Sequence, residues 1–246
     1  NDGGSASATD NLIVDTVAEV TINTSIVGSD GTLNFDEESG GFVVTGTTQE
    51  GSSVVVTFGG VDHAATVSGG NWSLNVDAGV IAQGEYSLDM SAVATDSFGN
   101  TATTSGSVIV DTVTDVTVDT ASIASDATGD NVINSVERDG GLTLDGTAEA
   151  GATVDVTFNG VTMTTTANSS GEWSASWSAS DIPTGELTKS VSVTSTDAAG
   201  NVATTSGTVE IDTFVNLLDF NGNKVEGDNV VNNAEAADGV TFGGSV

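Results

Sequence analysis

Apolar residues along this chain alternate with polar ones over short runs, as at Val154, Val156 and Phe158 or Val191 and Val193, and Gly, Asn, Asp and Ser punctuate the runs. Alternation with period two turns one face of a strand inward and the other to water, so the runs predict strands of two packed sheets. Between residues 111 and 211 the pattern predicts seven strands, over 116–123, 141–148, 153–159, 161–167, 172–178, 187–197 and 203–211, with a long acidic loop after the first. Trp72, Trp173, Phe58 and Phe158 are the candidate core centres. No window sustains the 3.6-residue spacing of an amphipathic helix, and no apolar run approaches the roughly 20 residues that span a bilayer.

The pattern repeats. Asp-Thr follows an apolar stretch at Asp15-Thr16, Asp111-Thr112 and Asp212-Thr213. Between these marks GGFVVTGTTQEGSSVVVTFGGV (40–61) aligns with GGLTLDGTAEAGATVDVTFNGV (140–161), and DSFGNTATTSGSVIVDT (96–112) with DAAGNVATTSGTVEIDT (197–213). The divisions predicted are the last strand of a preceding module over 1–14, module one over 15–110, module two over 111–211, and the opening of a third module over 212–246. The expected fold is all-β, a tandem of immunoglobulin-like seven-stranded β-sandwiches in an extended rod. Truncated modules expose sheet edges, so strand complementation between chains through the terminal fragments is one expected partnership, beside contacts with neighbouring modules of the same chain.

Composition limits the function. Three Lys+Arg stand against 35 Asp+Glu, a formal net charge of −32. Nucleic acid and direct membrane binding are excluded as expectations, because both need cations against phosphate. Carboxylates at this density repel one another unless cations neutralise them. With no cysteine, disulfides and thiolate sites are absent, and oxygen-ligated divalent metal is the remaining stabiliser for an extracellular chain.

The Asp-x-x-Gly-Asn turn (Asp96 to Asn100, Asp197 to Asn201), the apolar-apolar-Asp-Thr junction and the Asp-Asn-x-x-Asn-x-x-Glu loop, in the same order in each module, resemble the bacterial Ig-like repeats of giant RTX and biofilm-associated adhesins. The resemblance covers essentially the whole chain. It implies type I secreted extender modules on the bacterial cell surface, stiffened by calcium at their junctions and holding a distal adhesive region away from the cell. Module one departs from the loop pattern, with DGTLNFDEE (30–38) where module two has DNVINSVER.

In a seven-stranded sandwich the first loop lies at the end where the chain leaves, and the Asp-x-x-Gly-Asn turn at the end where it enters. The loop of Asp30, Asn34 and Glu37 is therefore expected to face Asp111 and the turn at Asp197, and that of Asp130, Asn134 and Glu137 to face Asp212. Asp15 and Asp96 hold the corresponding places at the start of module one, and Asp228, Asn232 and Glu235 repeat the loop in the third fragment. Calcium takes six to eight oxygens, which short Asp and Asn with a longer Glu can supply, whereas zinc would call for His or Cys. At Asp96 and Asp197 a second reading stands beside metal binding, a side chain that only closes a turn.

His63 has no counterpart in module two, where Thr162 or Met163 stands, so the modules share no serine–histidine–carboxylate triad. No constellation of residues points to an enzyme. The alternative to a spacer is an Ig-like module that recognises glycan or protein, which would show an exposed aromatic platform or a loop peculiar to one module.

Overall fold

The structure is a computed structural model that describes residues 14–25, 27–123 and 125–214. The fragments predicted over 1–13 and 215–246, with Asp228, Asn232, Glu235 and any strand complementation through them, lie outside the described residues. The described residues divide into two compact units, one within Asn1–Thr114 with Thr196–Val202 and one within Asp115–Ser195 with Ala203–Val246.

In the first unit, β1 (Thr32–Leu33) leads into a six-residue helix α1 (Phe35–Gly40), followed by β2 (Phe42–Thr47), β3 (Ser53–Phe58), β4 (Val61–Ala64), β5 (Thr66–Ser68), β6 (Asn71–Val76), β7 (Glu85–Thr95) and β8 (Thr101–Asp111). The strands form one sheet in the order β1-β8-β7-β3-β4 and a second in the order β2-β6-β5. β4 pairs with β3 and β5 with β6, so the chain changes sheets at Ala65. Inward residues of both sheets, among them Val44, Val56, Trp72, Met90 and Val110, close one core.

The second unit repeats the plan with β9 (Val132–Ile133), α2 (Ser135–Gly140), β10 (Leu142–Thr147), β11 (Thr153–Phe158), β12 (Val161–Thr166), β13 (Glu172–Trp177), β14 (Glu186–Thr196) and β15 (Val202–Asp212). Its sheets run β12-β11-β14-β15-β9 and β10-β13. Phe158 and Trp173 are buried in its core, as are Phe58 and Trp72 in the first. Gly46 and Gly146 admit these indoles: a Cβ on either would collide with the ring of Trp72 or Trp173 and with the carbonyl of Thr21 or Thr117.

Two expectations need correction. The segment 116–123 is not a continuous strand; it touches the sheet through isolated bridges, Val116 to Ala148 and Asp119 to Asp145. Asp119 ends the extension, because its Oδ1 accepts from the N–H of both Ala121 and Ser122 and folds the chain into a turn. Second, the acidic loop is not irregular throughout. It contains a two-residue strand and a short helix, and Asn34 and Asn134 form capping boxes with Glu37 and Glu137. The next helix residue braces the loop in each unit despite opposite charge: Glu38 Oε1 accepts from Gly79 N–H at 2.7 Å, and Arg138 Nε donates to the Ile182 carbonyl at 2.9 Å.

Candidate metal centre

Parallel strand pairs determine where the acidic residues emerge. Leu33 pairs with Val110 and Ile133 with Ile211, so Asn34 and Asp111 leave the sheet side by side, as do Asn134 and Asp212. In the first unit, the turn containing Asp197 joins Asn34 and Asp111. Asn201 Nδ2 donates to Asp197 Oδ2 at 2.7 Å, to the Asp111 carbonyl at 2.9 Å and to Asp111 Oδ1 at 3.1 Å. Asn201 Oδ1 accepts from Phe35 N–H at 2.9 Å, and Asn34 Nδ2 donates to the Ala199 carbonyl at 3.0 Å. Asp197 and Asn201 are buried. Burial first, then the charges of Asp197 and Glu85, push the Asp111 carboxyl above its ordinary pKa, with the Asn201 bond partly offsetting them.

The same turn recurs at the start of the first unit. Asn100 Nδ2 donates to Asp96 Oδ2 at 2.7 Å and to the Asp15 carbonyl at 3.2 Å, while Asp96 Oδ1 accepts from Phe98 and Asn100 N–H at 2.8 Å. The Asn100 side-chain bond is the chief cause that lowers the Asp96 pKa. Asp96 and Asp197 thus close turns, and through the Asn four residues on each turn reaches the carbonyl of a junction Asp.

The loops differ between copies. Asp30 Oδ1 accepts from Thr32 N–H and Asp130 Oδ1 from Val132 N–H, both local contacts. Glu37 turns back on Asn34 N–H rather than towards Asp111. Asp212 Oδ1 accepts from Phe214 N–H. In the second unit a residue outside the sequence-based candidates dominates: Asp126 accepts from the N–H groups of Thr128, Gly129 and Asn131. Burial opposes its ionisation, but these donors outweigh it and lower its pKa. The N–H of Thr128 lies 3.0 Å from both Asp126 Oδ1 and Glu137 Oε1, so the two carboxylates converge on one point.

Counting from Asp126, the side chains of Thr128, Asp130, Asn134 and Glu137 and the carbonyl of Val132 fall at positions 3, 5, 9, 12 and 7, the ligand spacing of an EF-hand calcium loop. Position 6 of such loops requires a sharp turn. Asn131 occupies it with φ 61° and Gly31 occupies it in the first unit with φ 93°. The first copy carries Ile26 at position 1 and Gly28 at position 3, neither of which offers a side-chain oxygen. The donor set of the second copy is all oxygen and holds three carboxylates, which fits calcium. Asp126 could have been found in the sequence from that twelve-residue spacing.

A model of the bacterial Ig-like domain matches residues 113–213. Residues 113–213 belong to the bacterial Ig-like family. Among solved structures the chain is similar to part of a 1.5-MDa bacterial ice-binding adhesin, at 27% identity over 94% of this chain and 77% of that one, with a TM-score of 0.52. It is also similar to a calcium-stabilised adhesin that helps an Antarctic bacterium reach out and bind ice, at 33% identity over 94% of this chain and 59% of that one, with a TM-score of 0.50. A bacterial immunoglobulin-like domain from the M. primoryensis ice-binding adhesin is 36% identical over 40% of this chain and 95% of its own, with a TM-score of 0.30. Among curated proteins, nothing matches. The chain is thus similar to parts of adhesins, and among its described residues no helix is long and apolar enough to cross a membrane.

Proposed function

We propose that these bacterial Ig-like modules are non-catalytic extenders of a large cell-surface adhesin, that they bind calcium, and that calcium at the junctions stiffens the array and projects a distal adhesive region from the cell. The observation that carries the reading is the recurrent link from an Asp-x-x-Gly-Asn turn to a junction aspartate, Asn100 to Asp15 and Asn201 to Asp111, the second bonded also to the acidic loop at Asn34 and Phe35. In the second copy Asp126, Asp130 and Glu137 would hold the ion, with Thr128, Asn134 and the Val132 carbonyl completing the oxygens. Asp111 and Asp197 are the further candidates, because burial and then the charges of Asp197 and Glu85 raise the Asp111 pKa, and a cation would offset both. The similar adhesin described as calcium-stabilised supports the choice of ion.

Calcium supplies charge neutralisation and a fixed oxygen cage, and the carboxylates supply affinity. A module of this kind spans roughly 40 Å, judged from strands rising about 3.3 Å per residue plus loops. Small-angle scattering and thermal melting in calcium and in EDTA test the reading. Chelation should shorten the largest dimension and lower the melting temperature; identical profiles and melting points in the two buffers would refute it.

A further inference from the structure

The two units differ at one sheet edge. In the first unit β5 covers the outer edge of β6, pairing Thr66 with Ser73 and Ser68 with Asn71. In the second unit β12 stays with β11 from Val161 to Thr166, and Ala167 continues that pairing by donating to the Ala152 carbonyl at 3.0 Å. Among the described residues, the sheet of β10 and β13 therefore has no strand beyond β13.

The register identifies the backbone groups left at that edge. Thr117 and Asp119 N–H donate to the carbonyls of Thr147 and Asp145 on one side of β10. Bonded residues alternate in an antiparallel ladder, so Gly146 and Leu144 bond to Trp173 and Ala175 on the other side, and Glu172, Ser174 and Ser176 turn their N–H and C=O groups away from β10. Glu172 is engaged by Asn168, whose N–H donates to its carbonyl at 2.9 Å and whose Oδ1 accepts from its N–H at 3.1 Å. Ser174 and Ser176 meet no such partner, and both residues are exposed. An open edge of this kind is a template for a further strand.

Charge changes with the edge. The first unit sets Asn23 opposite Thr45 and Asn71 opposite Thr47; the second sets Asp119 opposite Asp145 and Glu172 opposite Thr147. All three carboxylates line a groove of 760 Å³, where the groove at the equivalent place in the first unit measures 490 Å³. Like charges directly opposite each other repel, and a basic side chain laid between them relieves that repulsion. On the inner side, Val161 and Met163 share the face of Phe158 and Val156 but are only partly buried.

We propose that the β13 edge binds an extended peptide segment of alternating apolar and basic residues. Its backbone pairs with Ser174 and Ser176 as β5 pairs with β6, its basic side chains meet Asp119, Asp145 and Glu172, and its apolar side chains turn towards Val161 and Met163. Main-chain bonds of this kind supply affinity and the alternate side chains select the sequence. The first unit fills the strand position itself and carries no carboxylate at the three sites; the second leaves the position open and carries all three.

NMR titration of the ¹⁵N-labelled full chain with a blocked peptide alternating valine and lysine over about six residues, the usual strand length, tests the assignment. Saturable shifts should centre on Ser174 and Ser176. The same peptide with its lysine amides N-methylated keeps its charge but cannot donate to the ladder, and should bind about tenfold more weakly. A variant carrying the residues of the first unit, Asp119→Asn with Asp145→Thr and Glu172→Asn, should also bind about tenfold more weakly. Shifts spread alike over both units, equal binding of the methylated peptide, or undiminished binding by the variant would overturn the proposal. So would self-association of the variant combined with no saturable shifts in the natural chain, which would assign the carboxylates to keeping a second copy off the edge. If the variant does not fold, the methylated peptide decides.

Discussion

Asp126→Asn separates the ion from the turn that holds it. The variant keeps Oδ1 for the N–H groups of Thr128 and Gly129, sets an NH2 where Oδ2 accepts from Asn131 N–H, and removes the charge that converges with Glu137 on Thr128. Extracellular calcium modules bind at roughly 10⁻⁴–10⁻³ M, so about 10 mM calcium, some 10 to 100 times Kd, adds about 1.4–2.7 kcal/mol to the folded state. For a unit of about 100 residues this raises the melting temperature by about 6–20 °C. Losing one of three carboxylates should remove most of the calcium increment, while stability in EDTA falls more modestly as charge-assisted hydrogen bonds weaken. Calorimetric scans of the natural chain and the variant, each with calcium and with EDTA, give the four values. Asp30→Asn is the control: with Ile26 and Gly28 at the first and third positions, the first copy should contribute little to the increment. Equal increments in the natural chain and Asp126→Asn would refute the assignment of Asp126 as a ligand.

The Asp111 carboxyl is raised, so its folded pKa lies above its unfolded value and the penalty grows as pH rises through the carboxylate range. Asp111→Asn should therefore raise the melting temperature at neutral pH in EDTA and lose that advantage in calcium; a lower melting temperature in EDTA would show the reasoning wrong. Asp96 has the opposite sign: its lowered pKa contributes stability above the unfolded value, lost as pH falls through the folded one, so Asp96→Asn should flatten the acid limb of a melting-temperature profile. Trp177→Ala, which removes a buried indole and its bond to Val161, should cost about 3–5 kcal/mol by urea denaturation. Gly146→Ala should cost about 1–3 kcal/mol in the same assay, because its Cβ would meet Trp173 and the Thr117 carbonyl.

Period-two alternation and the repeated segments alone determined the sandwich, its strands between 141 and 211 and the aromatic centres of both cores, because a strand's inward face is written in neighbouring residues. Local order also made the acidic loop conspicuous, although its helix went unread: Asn-x-x-Glu is a capping signal that resembles a ligand set when charge is the only guide. The failure of 116–123 as a strand is less legible, since Asp119 competes for the backbone through its side chain and the remaining pairing is only two bridges.

Only the tertiary structure decided which polar atoms meet. Asn201 reaches Asp111 across 90 residues and Asn34 reaches Ala199 across 165, contacts that no local pattern carries, while the parallel strand register sets Asn34 beside Asp111. Likewise Val76 and Trp177 are both apolar residues at the same step of the same alternation, and the sequence treats them alike. Trp177 nonetheless reaches the other sheet, meeting Phe158 edge-on and donating to the Val161 carbonyl, because packing is measured between sheets, along a direction the sequence does not record.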